Sequence, residues 1–134
     1  MTRVFACVSA LCALTVTAAC WKDETLSAYG AADRTWVLSE LDGKPFRAPA
    51  TLTFPEPGQM AGAGPCNSFS AVMEAPYPWF EAGPLAATRR ACPDLPSETE
   101  YFRALGEMSL SEVLGDTLIL STPEGRSMVF TAGG

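Results

Sequence analysis

"SEVLGDTLILSTPEGRSMVF", Ser111 to Phe130, is the stretch whose reading decides the fold. Gly115-Asp116 is a two-residue hairpin signal, and Pro123-Glu124-Gly125 marks a second turn. Between and after these turns, Leu118 and Leu120 share one face, as do Met128 and Phe130. Three short antiparallel strands follow from that spacing.

The same pattern extends towards the N-terminus. "TWVLSELDG" (Thr35 to Gly43) alternates Trp36 and Leu38 before the turn Asp42-Gly43. "TLTF" places Leu52 and Phe54 on one face, "PEPG" (Pro55 to Gly58) turns, and "QMAGAG" resumes an extended path. Ser68 to Met73 and Leu85 to Ala91 are further strand candidates. "APYPWFEAGP" (Ala75 to Pro84) carries three prolines and is expected as a loop or edge segment. One helix interrupts the strands, at "PSETEYFRALGEM" (Pro96 to Met108). Ser97 and Glu100 form a capping-box pattern, and Tyr101, Leu105 and Met108 fall on one face as a core stripe. The expected class is α+β, mostly antiparallel β: a small, incompletely closed β-barrel or roll with one helix.

The 134-residue chain opens with Arg3 and an uncharged run from Val4 to Ala19, interspersed with Ser and Thr. That is too short for a spanning helix and fits a signal peptide over residues 1–19. "VTAAC" (Val16 to Cys20) resembles the lipobox of bacterial lipoproteins, which implies cleavage before Cys20 and diacylglycerol on its sulfur. Residues 20–33 then read as a lipidated N-terminus and tether, and 34–132 as the domain. The processed chain has eight basic and fifteen acidic residues, net −7. That balance disfavours nucleic acid, whose phosphates dominate binding. It also leaves membrane attachment to the lipid. Trp21, rather than Asp, follows Cys20. The expected location is the bacterial envelope, facing the periplasm, with the outer membrane favoured.

After processing, Cys20, Cys66 and Cys92 remain. With Cys20 lipidated, an even pair is left in an oxidising compartment, which reads as a disulfide. The glycines of "GAGPCNSFS" (Gly62 to Ser70) suit a sharp bend or close approach that aims Cys66 at Cys92. A redox pair is the alternative: in an extended "TRRAC", Arg90 shares a face with Cys92 and would lower its thiol pKa.

The chain contains no histidine. Histidine-dependent nucleophile systems are therefore absent, as is the commonest transition-metal ligand. The Gly62-x-Gly64 pair meets Pro65 instead of a phosphate-binding helix, and the acids lack calcium-loop spacing. No cofactor or metal is expected.

In order, "TWVLSELDG", "TLTF…GQMAGAGPCNSFS", "GPLAATRRAC", "ETEYFRAL" and "LILSTPEGRSMVF" resemble the META/HslJ domain family, from about Thr35 to Thr131. Trp36, Gly43, Phe54, Gly62, Cys66, Asn67, Thr88, Cys92 and Glu100 match its positions. Pro65, Arg90, Ala71 and Met73 depart from its usual residues. The resemblance implies a small β-rich domain, frequent on bacterial lipoproteins and without established catalysis. Some members are linked to heat shock or drug tolerance, and the fold has been compared with secretin-pilot lipoproteins.

The functional expectation is a non-enzymatic, lipid-anchored envelope protein acting as a partner-binding or stress- and drug-tolerance module. One alternative is a hydrophobic-ligand or secretin-pilot-like lipoprotein, with Tyr77, Trp79 and Phe80 lining a barrel mouth. The other is a thiol redox enzyme using Cys66 and Cys92. Tyr77, Trp79, Phe80 and Arg90 are the candidate contacts for a ligand or envelope partner.

Overall fold

A computed structural model describes residues 22–133. A 3₁₀ turn, Leu26–Tyr29, precedes the strands β1 (Trp36–Leu41), β2 (Lys44–Pro45), β3 (Thr51–Thr53), β4 (Gln59–Ala63), β5 (Ser68–Val72) and β6 (Ala86–Ala87). The helix α1 (Leu95–Glu107) follows, then β7 (Leu110–Leu114), β8 (Thr117–Ser121) and β9 (Ser127–Ala132).

The strands form one antiparallel sheet in the order β6-β5-β4-β3-β1-β9-β8-β7, with β2 paired to β1. Turn chemistry sets the register. Asp42 and Gly43 both have positive φ, so Leu41 faces Lys44. Gly115, with φ 59°, starts the two-residue loop that pairs Leu114 with Thr117.

Alternation then decides which face is buried. Trp36, Leu38, Leu52, Met60, Phe69, Leu118, Leu120, Met128 and Phe130 point into one core. Helix α1 lies against that face through Tyr101, Ala104 and Leu105. The Tyr101 ring packs near Phe46, Phe69, Phe102 and Phe130, and its hydroxyl donates to the Thr51 carbonyl at 2.7 Å. Burial pushes the Tyr101 phenol pKa upward.

The sheet is not closed into a barrel: β6 and β7 are its two edges. The proline-bearing segment 75–84 spans the gap, as its sequence leads one to expect of a loop. Gly83 N–H donates to the Val72 carbonyl at 2.8 Å, and Ser111 N–H donates to the Pro78 carbonyl at 2.7 Å. Trp79 bridges Leu110. Prolines lack the donors needed to continue a ladder, so a strap replaces a closing strand.

Several local expectations need correction. The helix starts at Leu95 with Asp94 as N-cap, and no side-chain cap bond forms. Ser97 therefore lies inside the first turn, and the expected Ser97–Glu100 box is not made; Pro96, suited to a first helical turn, explains the earlier start. The strand expected over Leu85–Ala91 shrinks to Ala86–Ala87, because the residues beyond it bend to meet Asn67. Residues expected in the tether belong to the domain: Leu26 and Ala31 are fully buried, and the Trp36 indole N–H donates to the Ala31 carbonyl at 3.0 Å. Two apolar side chains reached the core where the polar composition of the segment suggested none. The signal peptide, Cys20 and Trp21 lie outside the described residues.

Candidate functional site

The cysteine loop connects β4 to β5. Gly64 N–H donates to the Asn67 carbonyl at 2.8 Å, which turns the chain and presents Cys66. Cys66 and Cys92 form a disulfide with a Cα–Cα distance of 5.6 Å. Both cysteines are half-buried.

The glycines are required by close approach, not by left-handed geometry. A Cβ on Gly62 would collide with the Thr51 carbonyl and lie 2.8 Å from the Phe69 ring. A Cβ on Gly64 would lie 2.7 Å from the Glu98 side chain.

Glu98 is the centre of the corner and is only 2% exposed. Its Oε1 accepts the N–H groups of Cys66 at 3.1 Å and Asn67 at 2.5 Å. Its Oε2 accepts the Asn67 Nδ2 at 2.6 Å. Asn67 in turn donates from Nδ2 to the Arg90 carbonyl at 3.0 Å. The Asn67 Oδ1 accepts from the Thr88 hydroxyl at 3.0 Å and the Arg90 N–H at 2.5 Å. One asparagine thus joins the start of β5, the 88–90 segment and the first turn of α1, beside the disulfide that joins two of them again.

A buried carboxylate needs such donors, since an unpartnered charge would be strongly destabilising. Three donors already occupy Glu98, two on Oε1 and one on Oε2, so its side chain is tied to the corner. Sequence reading singled out Glu100, which is exposed, and missed Glu98. The signal was present: Glu98 stands three residues before Tyr101 and seven before Leu105, on the buried stripe.

The other candidate residues separate. Phe80 is buried at 2% exposure and belongs to the core, whereas Trp79 is 58% exposed. Tyr77 is half-buried, its ring stacked on Tyr29 at 4.4 Å, and its hydroxyl accepts the Val113 N–H at 3.2 Å. The three do not line a common mouth. Arg90 is exposed; its backbone, not its guanidinium, serves the corner. The helix start comes closer to Cys92 than expected, with Leu95 N–H donating to the Cys92 carbonyl at 3.1 Å. The Glu98 carboxylate faces the same corner and opposes the positive end of α1.

Among the described residues, no group of three or more Cys, Asp and Glu is placed to hold a metal. No described helix is long and apolar enough to cross a membrane. Two surface ion networks stand apart from the corner. Arg126 pairs with Asp42 and Glu107, and Arg34 pairs with Asp116 while lying 5.1 Å over the Trp36 ring. The Arg126 guanidinium holds the Asp42 carboxyl below the usual carboxylate range, with help from the Ser127 N–H.

A nine-stranded antiparallel sheet wrapped on one helix, with a disulfide and a buried Asn–Glu pair at one corner, defines a compact β-rich module. The chain belongs to the META domain family, which matches over residues 29–133. It is similar in fold to an NMR structure of a protein from Burkholderia xenovorans, with TM-score 0.65 and 24% identity, covering 80% of this chain and 86% of that one. A second protein structure solved by NMR gives TM-score 0.57 and 25% identity over 73% of this chain and 87% of the other. The crystal structure of a DUF4847 family protein from Bacteroides vulgatus gives TM-score 0.62 at 11% identity, over 79% and 96%. Among curated proteins none matches.

Proposed function

We propose that the chain is a lipid-anchored protein of the bacterial cell envelope that works by binding a partner and not by catalysis. The observation that carries this reading is the Cys66–Cys92 disulfide inside the folded domain. Such a bond persists in oxidising compartments outside the cytosol. The lipobox-like Val16–Cys20 supplies the anchor, on the periplasmic face, with the outer membrane favoured by Trp21. More than one acyl chain makes such anchoring effectively stable, at about 0.8 kcal/mol per buried CH₂.

The side-chain chemistry speaks for binding over catalysis. The chain has no histidine, the sulfurs of Cys66 and Cys92 are bonded to each other, and the Glu98 carboxylate is occupied by donors. A role in stress or drug tolerance follows from the family resemblance. The acyl-carrier and secretin-pilot readings have less behind them, because Trp36, Leu52, Met60, Tyr101 and Phe130 fill the interior and Phe80 packs with them. The redox reading has less behind it, because the two sulfurs are bonded to each other and the Glu98 carboxylate accepts the Cys66 N–H.

The test is to express the full chain in a bacterium fed a clickable palmitate analogue. The expected result is label on an N-terminal peptide starting at Cys20, abolished by Cys20→Ala. Unlabelled protein, cut at another bond, would overturn the anchor. Crosslinking in intact cells would then identify the partner.

A further inference from the structure

The β7 edge of the sheet carries more exposed aromatic surface than an edge strand needs. Its outward N–H groups are already satisfied: Ser111 N–H by the Pro78 carbonyl and Val113 N–H by the Tyr77 hydroxyl. The edge is therefore closed to strand addition by another chain. Along it lie Trp79 at 58% exposure, bridged to Leu110, and Leu114 at 55%. Tyr29, 51% exposed, stacks on Tyr77, and Gly30 lies against Val113. From Leu110 to Leu114 the strand rises about 13 Å, so these residues lie along one short stretch of the edge, here called the rim.

The chain's own connectivity says what this rim faces. Tyr77 N–H donates to the Glu24 carbonyl at 2.7 Å, which fixes the start of the domain to the aromatic strap. Cys20 lies only four residues before Glu24. That length spans at most about 14 Å. A lipid on Cys20 would thus hold the Tyr29–Tyr77–Trp79 rim within one short reach of the bilayer surface.

We infer that this rim is a membrane-seating surface: Tyr29, Tyr77, Trp79 and Leu114 rest in the headgroup layer of the bilayer that receives the Cys20 lipid. Tyrosine and tryptophan favour that layer because their rings are apolar and their tips polar. The exposed Glu24 and Glu112 nearby suit a zwitterionic surface better than an anionic one. Only the position of the anchor is taken from the functional reading above.

The experiment supplies the lipid chemically, so it judges the rim independently of native acylation. Every described element lies within residues 22–133, so the chain from Cys20 to Gly134 keeps the fold. With Cys66 and Cys92 paired, the Cys20 thiol couples selectively to a maleimide lipid in phosphatidylcholine vesicles. Trp21→Phe leaves Trp79 exposed and Trp36, fully buried, as background. Lipids brominated near the headgroup should quench Trp79, and aqueous iodide should reach it about twofold less than in vesicle-free protein. Trp79→Phe should abolish both effects with the near-ultraviolet circular dichroism of the remaining aromatics kept. Trp79 equally open to iodide with and without vesicles, and unquenched by bromolipid, would overturn the inference. Shielding that appears without vesicles and grows with protein concentration would also overturn it, assigning the rim to a second copy of the chain.

Discussion

Along β7, β8 and β9, neighbouring strands are joined by turns of two and five residues, and each side chain's face follows from its parity. At the opposite end of the sheet, β5, the 88–92 segment and the start of α1 meet across 21 to 31 residues of chain. There the ladder is two pairs long, and a disulfide, an asparagine and a buried glutamate hold the corner instead. Local pairing needs little loop-closure entropy; the corner needs about 2 kcal/mol more by the logarithmic law, and its covalent and charged ties offset it. The meander should therefore respond less to redox state than the corner does.

The largest effect should come from the meander's core. Phe130→Ala removes a fully buried ring and should cost about 3–5 kcal/mol in denaturant unfolding, with the disulfide intact or reduced. A cost that vanished on reduction would break the independence of the two ends.

Next comes the disulfide. Replacing both Cys66 and Cys92 by Ser should cost about 3.5 kcal/mol by the chain-entropy relation. That is a large share of the 5–15 kcal/mol typical of a domain. Hydrogen exchange should quicken most in β5, β6 and the first turn of α1, and least in β8 and β9. Uniform loss of protection would show that the ends are one cooperative unit.

Glu98→Gln keeps the shape but turns an acceptor oxygen into a donor facing Asn67 Nδ2. A loss of about 2 kcal/mol is expected. Combined with disulfide loss in a double-mutant cycle, it should be non-additive, because both ties join the same segments.

The smallest effect is at Asp42, whose side chain is 41% exposed. Its pKa is lowered in the fold, so its contribution is full above the ordinary value of 3.8 and lost as pH falls through the lowered one. Asp42→Asn should flatten that acid limb by less than about 1 kcal/mol, measured by thermal melts between pH 2 and 6.

The same contrast explains what the sequence could tell. The meander, the Asp42-Gly43 turn and the helix stripe were legible because each depends on neighbours a few residues apart. The disulfide was legible from the cysteine count together with the expectation of an exported domain. Asn67 and Glu98 were not paired in advance, because a hydrogen bond across 31 residues leaves no period in the chain. The helix start shifted because Pro96 favours the first turn, which carries Ser97 past the cap position while Glu98 meets Cys66 and Asn67. Leu26 and Ala31 read as tether because their neighbours are polar, although both belong to a core whose other members come mostly from outside that segment.

Peptide mapping of protein alkylated in intact cells, before any reductant, tests the central claim most directly. Fragments carrying Cys66 and Cys92 should be recovered as one cross-linked, unalkylated pair. Their recovery as two separate alkylated peptides would contradict a corner closed by its own sulfurs.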